Sequence, residues 1–218
     1  RNPVKEISSY LDEETIFIVD AVTSLGTIEL NVDAWGIDAV YSCSQKGLSC
    51  PPGASPVSFS PKAMNKILER KSTVPNFYLD MQQIIKYLGG EQRTYHHTAP
   101  INSMYAIYQG LFDLEDEGLD NVINRHLEVH EILVKGLKEL GIEMLVDKDC
   151  RLPSLNSVII PEGIDDLEIR KKLIDDYNIE IGGGLGPLAG QIWRIGLMGH
   201  SARKANVHKL LDVFSKLF

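Results

Sequence analysis

Two side chains in this sequence stand where chemistry could be done. Asp20 closes the apolar run Ile16-Phe17-Ile18-Val19, and an ionised carboxylate at the end of an apolar strand is costly unless a cation or a hydrogen-bond donor meets it. Taken alone it reads as a turn or capping aspartate. Lys46 follows the small residues Ser42-Cys43-Ser44 and precedes Gly47-Leu48-Ser49-Cys50-Pro51-Pro52-Gly53. Small residues on both sides let a backbone and a bulky ligand approach closely. An apolar strand beside an ammonium desolvates it and lowers its pKa, as a Schiff-base lysine requires. By itself, however, a lysine is most often a solvated one.

Short apolar runs would position both residues. Ile16 to Val19 predicts a buried strand of a parallel sheet. Ile37 to Tyr41 predicts a second, ending at Ser42-Cys43-Ser44-Gln45-Lys46, and Ser55 to Phe59 a third, ending at Ser60-Pro61. All three finish in polar residues, and in open α/β sheets the carboxyl ends of strands are where ligands sit. Ser60 as N-cap with Pro61 behind it opens a helix carrying Met64, Ile67 and Leu68 on one face. Asp80 opens another with Ile84, Ile85 and Leu88, closed by Gly89-Gly90. From Pro100 a longer helix places Met104, Ile107, Tyr108 and Leu111 at helical spacing. After Gly118 a further helix carries Val122, His126, Val129, Leu133 and Leu137 up to Gly141. Beyond it the pattern is strand 142–146, strand 156–160, helix 165–176, strand 178–182, strand 191–197 and helix 203–217, an α+β layer distinct from the first. Two domains are therefore expected, residues 1–118 and 119–218.

Composition removes whole classes of function. Hydrophobic residues make up 44% of the 218 and charged residues 24%, which is an ordinary globular balance and not that of a disordered, collagen-like or coiled-coil chain. With 22 basic side chains against 30 acidic ones, net −8, too few cations are available to neutralise many phosphates, so nucleic acid is not an expected partner. No apolar run reaches the roughly 18 residues that a membrane span needs, and Arg1-Asn2-Pro3-Val4-Lys5 has no signal-sequence pattern. No membrane segment and no secretion are expected. Cys43, Cys50 and Cys150 cannot build a disulfide framework, and no Cys/His group has zinc spacing, which points to a reducing compartment and no metal.

Val19-Asp20-Ala21-Val22-Thr23-Ser24-Leu25-Gly26 and Tyr41-Ser42-Cys43-Ser44-Gln45-Lys46-Gly47-Leu48-Ser49-Cys50-Pro51-Pro52-Gly53 resemble the pyridoxal phosphate site of class V, fold-type I aminotransferases, the alanine–glyoxylate and serine–pyruvate group in particular. Phe77-Tyr78-Leu79-Asp80, Tyr95-His96-His97-Thr98-Ala99-Pro100, Ile181-Gly182-Gly183-Gly184-Leu185-Gly186 and Trp193-Arg194-Ile195-Gly196 match further segments in the family's order and span nearly the whole chain. The resemblance implies an α/β fold of the fold-type I pyridoxal-phosphate-dependent transferases, with the end of the large parallel-sheet domain followed by a C-terminal α+β small domain. It implies that Lys46 forms the internal aldimine and then carries the proton between the substrate α-carbon and the cofactor. Asp20 would keep the pyridine nitrogen protonated, making the ring an electron sink. Val22, two residues further along the same extended stretch, would pack on the ring face. Gln45 would contact the phenolic oxygen or the phosphate end, while Tyr95 and Thr98 would reach the phosphate of the neighbouring subunit's cofactor. A site shared in that way implies a homodimer.

The implied reaction moves an amino group from alanine or serine to glyoxylate or another small 2-oxo acid. Arg194, flanked by Ile192 and Ile195 with Gly196 beside it, is the residue expected to hold the substrate's α-carboxylate, because a planar fork of donors grips a carboxylate as lysine cannot. His96 and His97 do not suggest a metal, since adjacent residues on an extended segment point opposite ways. Gly182 to Gly186 lacks the lysine of a phosphate loop and reads as a flexible approach to Arg194. Gln45 stands where cysteine desulfurases of this fold have a histidine, which argues against Cys50 as a desulfurase nucleophile. Two other readings stay open: a non-catalytic subunit retaining the fold, and a pyridoxal-phosphate-dependent lyase. A complete family member also has an N-terminal half with a glycine-rich phosphate cup, so the chain is expected to be the C-terminal portion of a longer protein that works with that half. The expected location is the cytoplasm or, in a eukaryote, a peroxisome or mitochondrion.

Overall fold

The β-branched and apolar runs near the start pair into a small three-stranded sheet. In the computed structural model, which describes residues 1–89 and 94–218, a short helix α1 (Val4–Ser8) leads to β1 (Ile18–Asp20), β2 (Ala39–Tyr41) and β3 (Val57–Phe59). β1 and β2 are parallel, with Ile18 opposite Ala39 and Asp20 opposite Tyr41. They deliver their carboxyl ends to one edge. β3 is antiparallel to β2, which corrects the expectation that all three ends gather together. The connection from Tyr41 to Val57 folds back on itself, with Ser42 N–H donating to Pro56 O and Ser44 N–H to Ala54 O, so the chain returns in the opposite sense. Ser60 therefore lands at the far edge, where its hydroxyl donates to Asp38 Oδ1 at 2.7 Å. Burial pushes the Asp38 carboxyl up, but the Lys62 ammonium at 2.8 Å, the Phe17 N–H and the Ser60 hydroxyl outweigh it and leave Asp38 below the usual carboxylate range.

The strand over Ile16 to Val19 is buried at Val19 alone. Ile18 is 63% exposed and lines a groove of about 670 Å³ between this sheet and the helices that follow β3. Those helices are α2 (Pro61–Leu68) and α3 (Met81–Gly89), and α4 (Ile101–Glu117) and α5 (Leu119–Glu139) come after them. Ser60 caps α2 by accepting from Ala63 N–H, and Asp80 Oδ1 accepts from Gln82 N–H at the start of α3. Gly89 is the last residue of α3; the other half of its expected closure, Gly90, lies outside the described residues.

The inward side of α4 differs from expectation. None of its residues is buried, and Met104, Tyr108 and Leu111 are exposed. Small residues face inward instead. Cys50 Sγ donates to Ala106 O at 3.1 Å, and a Cβ on Gly110 would come within 2.6 Å of Leu48 O. Ala106 and Gly110 thus leave room for the segment after Lys46 to lie directly on the helix. Gly118, at φ +84°, separates α4 from α5.

The remaining elements form a second layer: β4 (Leu155–Ile159), α6 (Asp166–Tyr177), β5 (Gly182–Gly183), β6 (Ile192–Gly196) and α7 (Lys204–Leu217). The strands lie in the order β4-β6-β5, and both pairings are antiparallel. Trp193 is fully buried against Phe214, within a core that α5 supplies with Val129, Leu133 and Leu137. The expected strand 142–146 is reduced to one bridge between Met144 and Val158. The strand expected over 178–182 begins only at Gly182, because Asn178, in the left-handed conformation, is still capping α6. Among the described residues, no helix is long and apolar enough to cross a membrane.

Candidate active site

The parallel pairing of β1 with β2 brings Asp20 to Tyr41 at the carboxyl edge. Tyr41 Oη donates to Asp20 Oδ2 at 2.9 Å, and Val22 N–H donates to Oδ1 at 2.8 Å. The hydrogen bond to Asp20 pushes the Tyr41 phenol above its ordinary range. Asp20 is exposed, and a carboxylate oxygen accepts more than one bond, so each has acceptor capacity left. Beyond Asp20 the backbone does not stay extended. Ser24 N–H and Leu25 N–H both donate to Ala21 O, so Val22 sits half-buried in a turn, and the expectation that strand alternation aims its side chain with Asp20 is corrected.

Lys46 lies in the turn that follows β2, and that turn is fastened at many points. Ser42 Oγ donates to Ala21 O at 3.0 Å, Ser44 Oγ to Pro51 O at 2.6 Å, and Cys50 N–H to Ser44 O at 2.9 Å. A Cβ on Gly47 would collide with Leu25 O and lie 2.9 Å from Thr27 Cγ2, so the turn after β1 packs on the turn after β2. Asp20, Val22, Gln45 and Lys46 therefore belong to one rigidly packed pair of turns. Lys46 is half-buried, and among the described residues its ammonium has no hydrogen-bond or ion-pair partner; Gln45 beside it is exposed. Burial pushes the neighbouring Cys50 thiol up, which keeps it protonated and weakly nucleophilic.

Arg194 comes from the second sheet. It lies half-buried on β6, its Nε donating to Gly183 O at 2.7 Å. No carboxylate among the described residues pairs with it. Gly182 and Gly183 are paired with Arg194 and Trp193, respectively, so the first two residues of the run read as a flexible approach belong to a paired strand. Tyr95 and Thr98 form an exposed pair of their own, with their hydroxyls 2.6 Å apart; among the described residues they make no bond to Asp20, Lys46 or Arg194. His96 and His97 do not diverge. Their rings meet edge to face with the Nδ1 atoms 2.7 Å apart, and His96 stacks on Phe77, because the segment around them is irregular rather than extended. Among the described residues, no group of three potential ligands could hold a metal.

Sequence reasoning gave no role to Tyr41, Ser49 or Ser154. The signal for Tyr41 was the parallel register of two short strands. Ser154 Oγ donates to Thr23 O at 2.6 Å and Ser49 Oγ accepts from His200 N–H at 2.7 Å; both tie the second layer to the two turns and leave no mark in local sequence.

The model of the aminotransferase class-V family matches residues 1–203. The chain belongs to that family. It is 44% identical over 195 residues to an alanine–glyoxylate aminotransferase of Callithrix jacchus, covering 88% of this chain and 47% of the relative. It is 36% identical over 225 residues to a (S)-ureidoglycine–glyoxylate transaminase of Bacillus subtilis, covering 94% of this chain and 54% of the relative. A crystal structure of alanine–glyoxylate aminotransferase from Nostoc sp. superposes with a TM-score of 0.91 at 45% identity, over 99% of this chain and 56% of that one. The chain thus spans about half the length of the curated relatives it matches. Its fold is that of the fold-type I transferases, and the cofactor of this class-V family is pyridoxal phosphate. The residues present fit that group: an amine without a partner among the described residues suits an aldehyde, and a carboxylate with open lone pairs suits a pyridinium N–H.

Proposed function

We propose that this chain supplies the lysine and carboxylate half of a transaminase site that moves an amino group from alanine or serine to glyoxylate or another small 2-oxo acid. The observation that carries the reading is the half-buried Lys46, whose ammonium has no hydrogen-bond or ion-pair partner among the described residues, in a turn packed against the one that follows Asp20. Pyridoxal phosphate, when bound, supplies a carbonyl for amines and a ring that accepts electron density from the substrate α-carbon. Lys46 Nζ holds the cofactor and then takes and returns the α-proton. The Asp20 carboxylate, oriented by Tyr41 and by Val22 N–H, holds the pyridine N–H, and the Val22 side chain packs on the ring. Gln45 binds the cofactor's polar rim.

Arg194 grips the substrate carboxylate with its two Nη groups. Tyr95 and Thr98, exposed and paired, serve the phosphate of a second subunit's cofactor, which makes the working unit a homodimer. Further phosphate donors come from polypeptide corresponding to the half of the relatives that this chain does not span. Gly118 divides the large-domain portion, residues 1–118, from the small domain, residues 119–218. Cys43, Cys50 and Cys150 are all free thiols, in keeping with a reducing compartment, the cytoplasm or an organelle.

Borohydride reduction in the presence of pyridoxal phosphate, followed by peptide mapping, tests the assignment. The cofactor should be fixed to Lys46 and to no other lysine. Lys46→Ala should abolish the label and cut alanine–glyoxylate exchange by roughly 10⁴-fold or more, since both the covalent hold and the proton carrier are lost. Label on another lysine would refute the reading, and sulfide release from cysteine in place of amino transfer would replace it with a lyase.

A further inference from the structure

Gly182, Gly183 and Gly184 each lack a side chain for a different reason. A Cβ on Gly184 would collide with Leu188 O. One on Gly182 would lie 3.3 Å from Arg194 Nη2, and one on Gly183 would lie 3.3 Å from Cζ, Nε and Nη2 of Arg170. Successive residues of a strand face opposite sides of its sheet. The guanidinium groups of Arg194 and Arg170 therefore lie against opposite faces of the two-residue strand β5. The Gly183 carbonyl, between them, is the acceptor for Arg194 Nε at 2.7 Å.

Arg170 is itself held from behind. Its Nε and Nη2 donate to Asp166 Oδ1 and Oδ2 at 2.7 and 3.0 Å, a bidentate pair one turn apart on α6. Trp193 Nε1 donates to the same Oδ1 at 2.9 Å. The Arg170 guanidinium holds the Asp166 carboxyl below the usual carboxylate range, and Asp166 raises Arg170 in turn. A single carboxylate thus takes three N–H groups and fixes both the cation stacked on Gly183 and the indole that pairs with Gly183 across the sheet. Neither Asp166 nor Arg170 belongs to the site described above.

We infer that Asp166 and Arg170 are positioning residues for Arg194. They brace the Gly183 peptide from one face so that its carbonyl orients the Arg194 guanidinium on the other, leaving both Nη groups for a carboxylate. The inference rests on the proposed role of Arg194 and goes beyond it by naming what sets the direction of the fork. An unbraced arginine must be ordered at the moment of binding, and that ordering is subtracted from affinity.

Two readouts test it in the cofactor-loaded protein. The first is the dissociation constant of propionate, a carboxylate with no amino group to transfer, measured by calorimetry. Asp166→Asn and, separately, Arg170→Met should each weaken propionate by about three- to tenfold, with unchanged cofactor absorbance and a KM rise in turnover that exceeds any fall in kcat. Arg170→Met keeps the stem of a half-exposed helical side chain, so it guards against a folding defect in Asp166→Asn; melting curves check both. In an Arg194→Lys background, Asp166→Asn should add nothing further, because a brace without its arginine has nothing to orient. The second readout is hydrogen exchange at Arg194 Nε–H by NMR, which should quicken in Asp166→Asn. If Arg194→Lys leaves propionate affinity unchanged, the reading of Arg194 and this inference both fall. If Arg194→Lys weakens propionate while Asp166→Asn and Arg170→Met do not, or if Asp166→Asn is additive with Arg194→Lys, the inference alone is overturned.

Discussion

The Ser49 hydroxyl occupies the space that a side chain on Gly199 would need: a Cβ there would collide with Ser49 Oγ and come within 2.8 Å of Gly47 O. Ser49 is itself held at φ +59°, a conformation few side chains adopt, and its Oγ accepts from His200 N–H at 2.7 Å. The turn that carries Lys46 is thus keyed into the second layer three residues after the lysine. Gly199→Ala should cost about 1–3 kcal/mol by overpacking, with added strain because Gly199 sits at φ +54°, read as a lower urea midpoint. It should also slow borohydride labelling of Lys46, since the turn must shift. Unchanged stability and labelling would show that the contact is slack.

Asp20 is the group that pushes the Tyr41 phenol up, so the tyrosine reports on the carboxylate. The folded pKa is raised, so this hydrogen bond stabilises the fold below the ordinary tyrosine pKa and is lost as pH rises through the raised value. Ultraviolet titration should show Tyr41 as a late tyrosine, which Asp20→Asn returns toward its ordinary range. Pyridoxal phosphate should do the same, because a pyridinium N–H on Asp20 offsets the negative charge that Tyr41 resists. A titration that ignores the cofactor would place the ring elsewhere.

His126 is fully buried, with Nδ1 2.7 Å from Val122 O and Nε2 3.0 Å from Gly199 N. A carbonyl can only accept and an amide N–H can only donate, so the ring is neutral with its proton on Nδ1. Burial drives its pKa down, and of the charges facing it Arg125 opposes protonation while Glu117 favours it. With the folded pKa depressed, the stabilisation is whole above the unfolded value near 6.5 and is lost as pH falls through the folded one. The unfolding free energy should therefore fall between pH 7.5 and pH 5, by up to about 1.4 kcal/mol per pH unit for one proton, read as lower urea midpoints. His126→Gln should be less stable at pH 7.5 and flatter in its pH response, keeping the slope that His130, also lowered by burial, contributes. An unaltered slope would assign the acid sensitivity to other groups.

Much of this architecture could be read locally. Ser60 with Pro61, Asp80, and the periodic run from Val122 to Leu137 each announced a helix, because caps and apolar spacing act within a few residues. Lys46 and Asp20 drew attention through their neighbours. What escaped depended on partners far along the chain. Whether Ile18 or the outer face of α4 is covered is decided by what packs there, not by the residue types themselves. The direction of β3 was fixed by hydrogen bonds of Ser42 and Ser44 to Pro56 and Ala54, and Gly182 and Gly183 looked flexible because the two arginines that lie against their empty side-chain positions, Arg194 and Arg170, are distant in sequence.

The outer face of α4 carries Ile101, Tyr105, Tyr108 and Phe112 at helical spacing, all exposed, with Tyr105 at 73%. A 17-residue helix is about 25 Å long, so the stripe is a continuous apolar surface of the kind that marks a subunit contact. If a second copy covers it, sedimentation should report a dimer, and the pair of changes Tyr105→Glu and Phe112→Glu should halve the mass. Thermal melting of the dissociated variant should show an intact core, because these side chains are all more than half exposed within one chain. Cofactor affinity should fall with dissociation if Tyr95 and Thr98 serve a neighbour's phosphate, and supplying excess Tyr95→Phe/Thr98→Val protein should not restore it. A variant that stays dimeric would put the contact on another surface. One that becomes monomeric yet holds pyridoxal phosphate as tightly as before would remove Tyr95 and Thr98 from a shared site, since their hydroxyl pair could then reach no phosphate but that of their own chain.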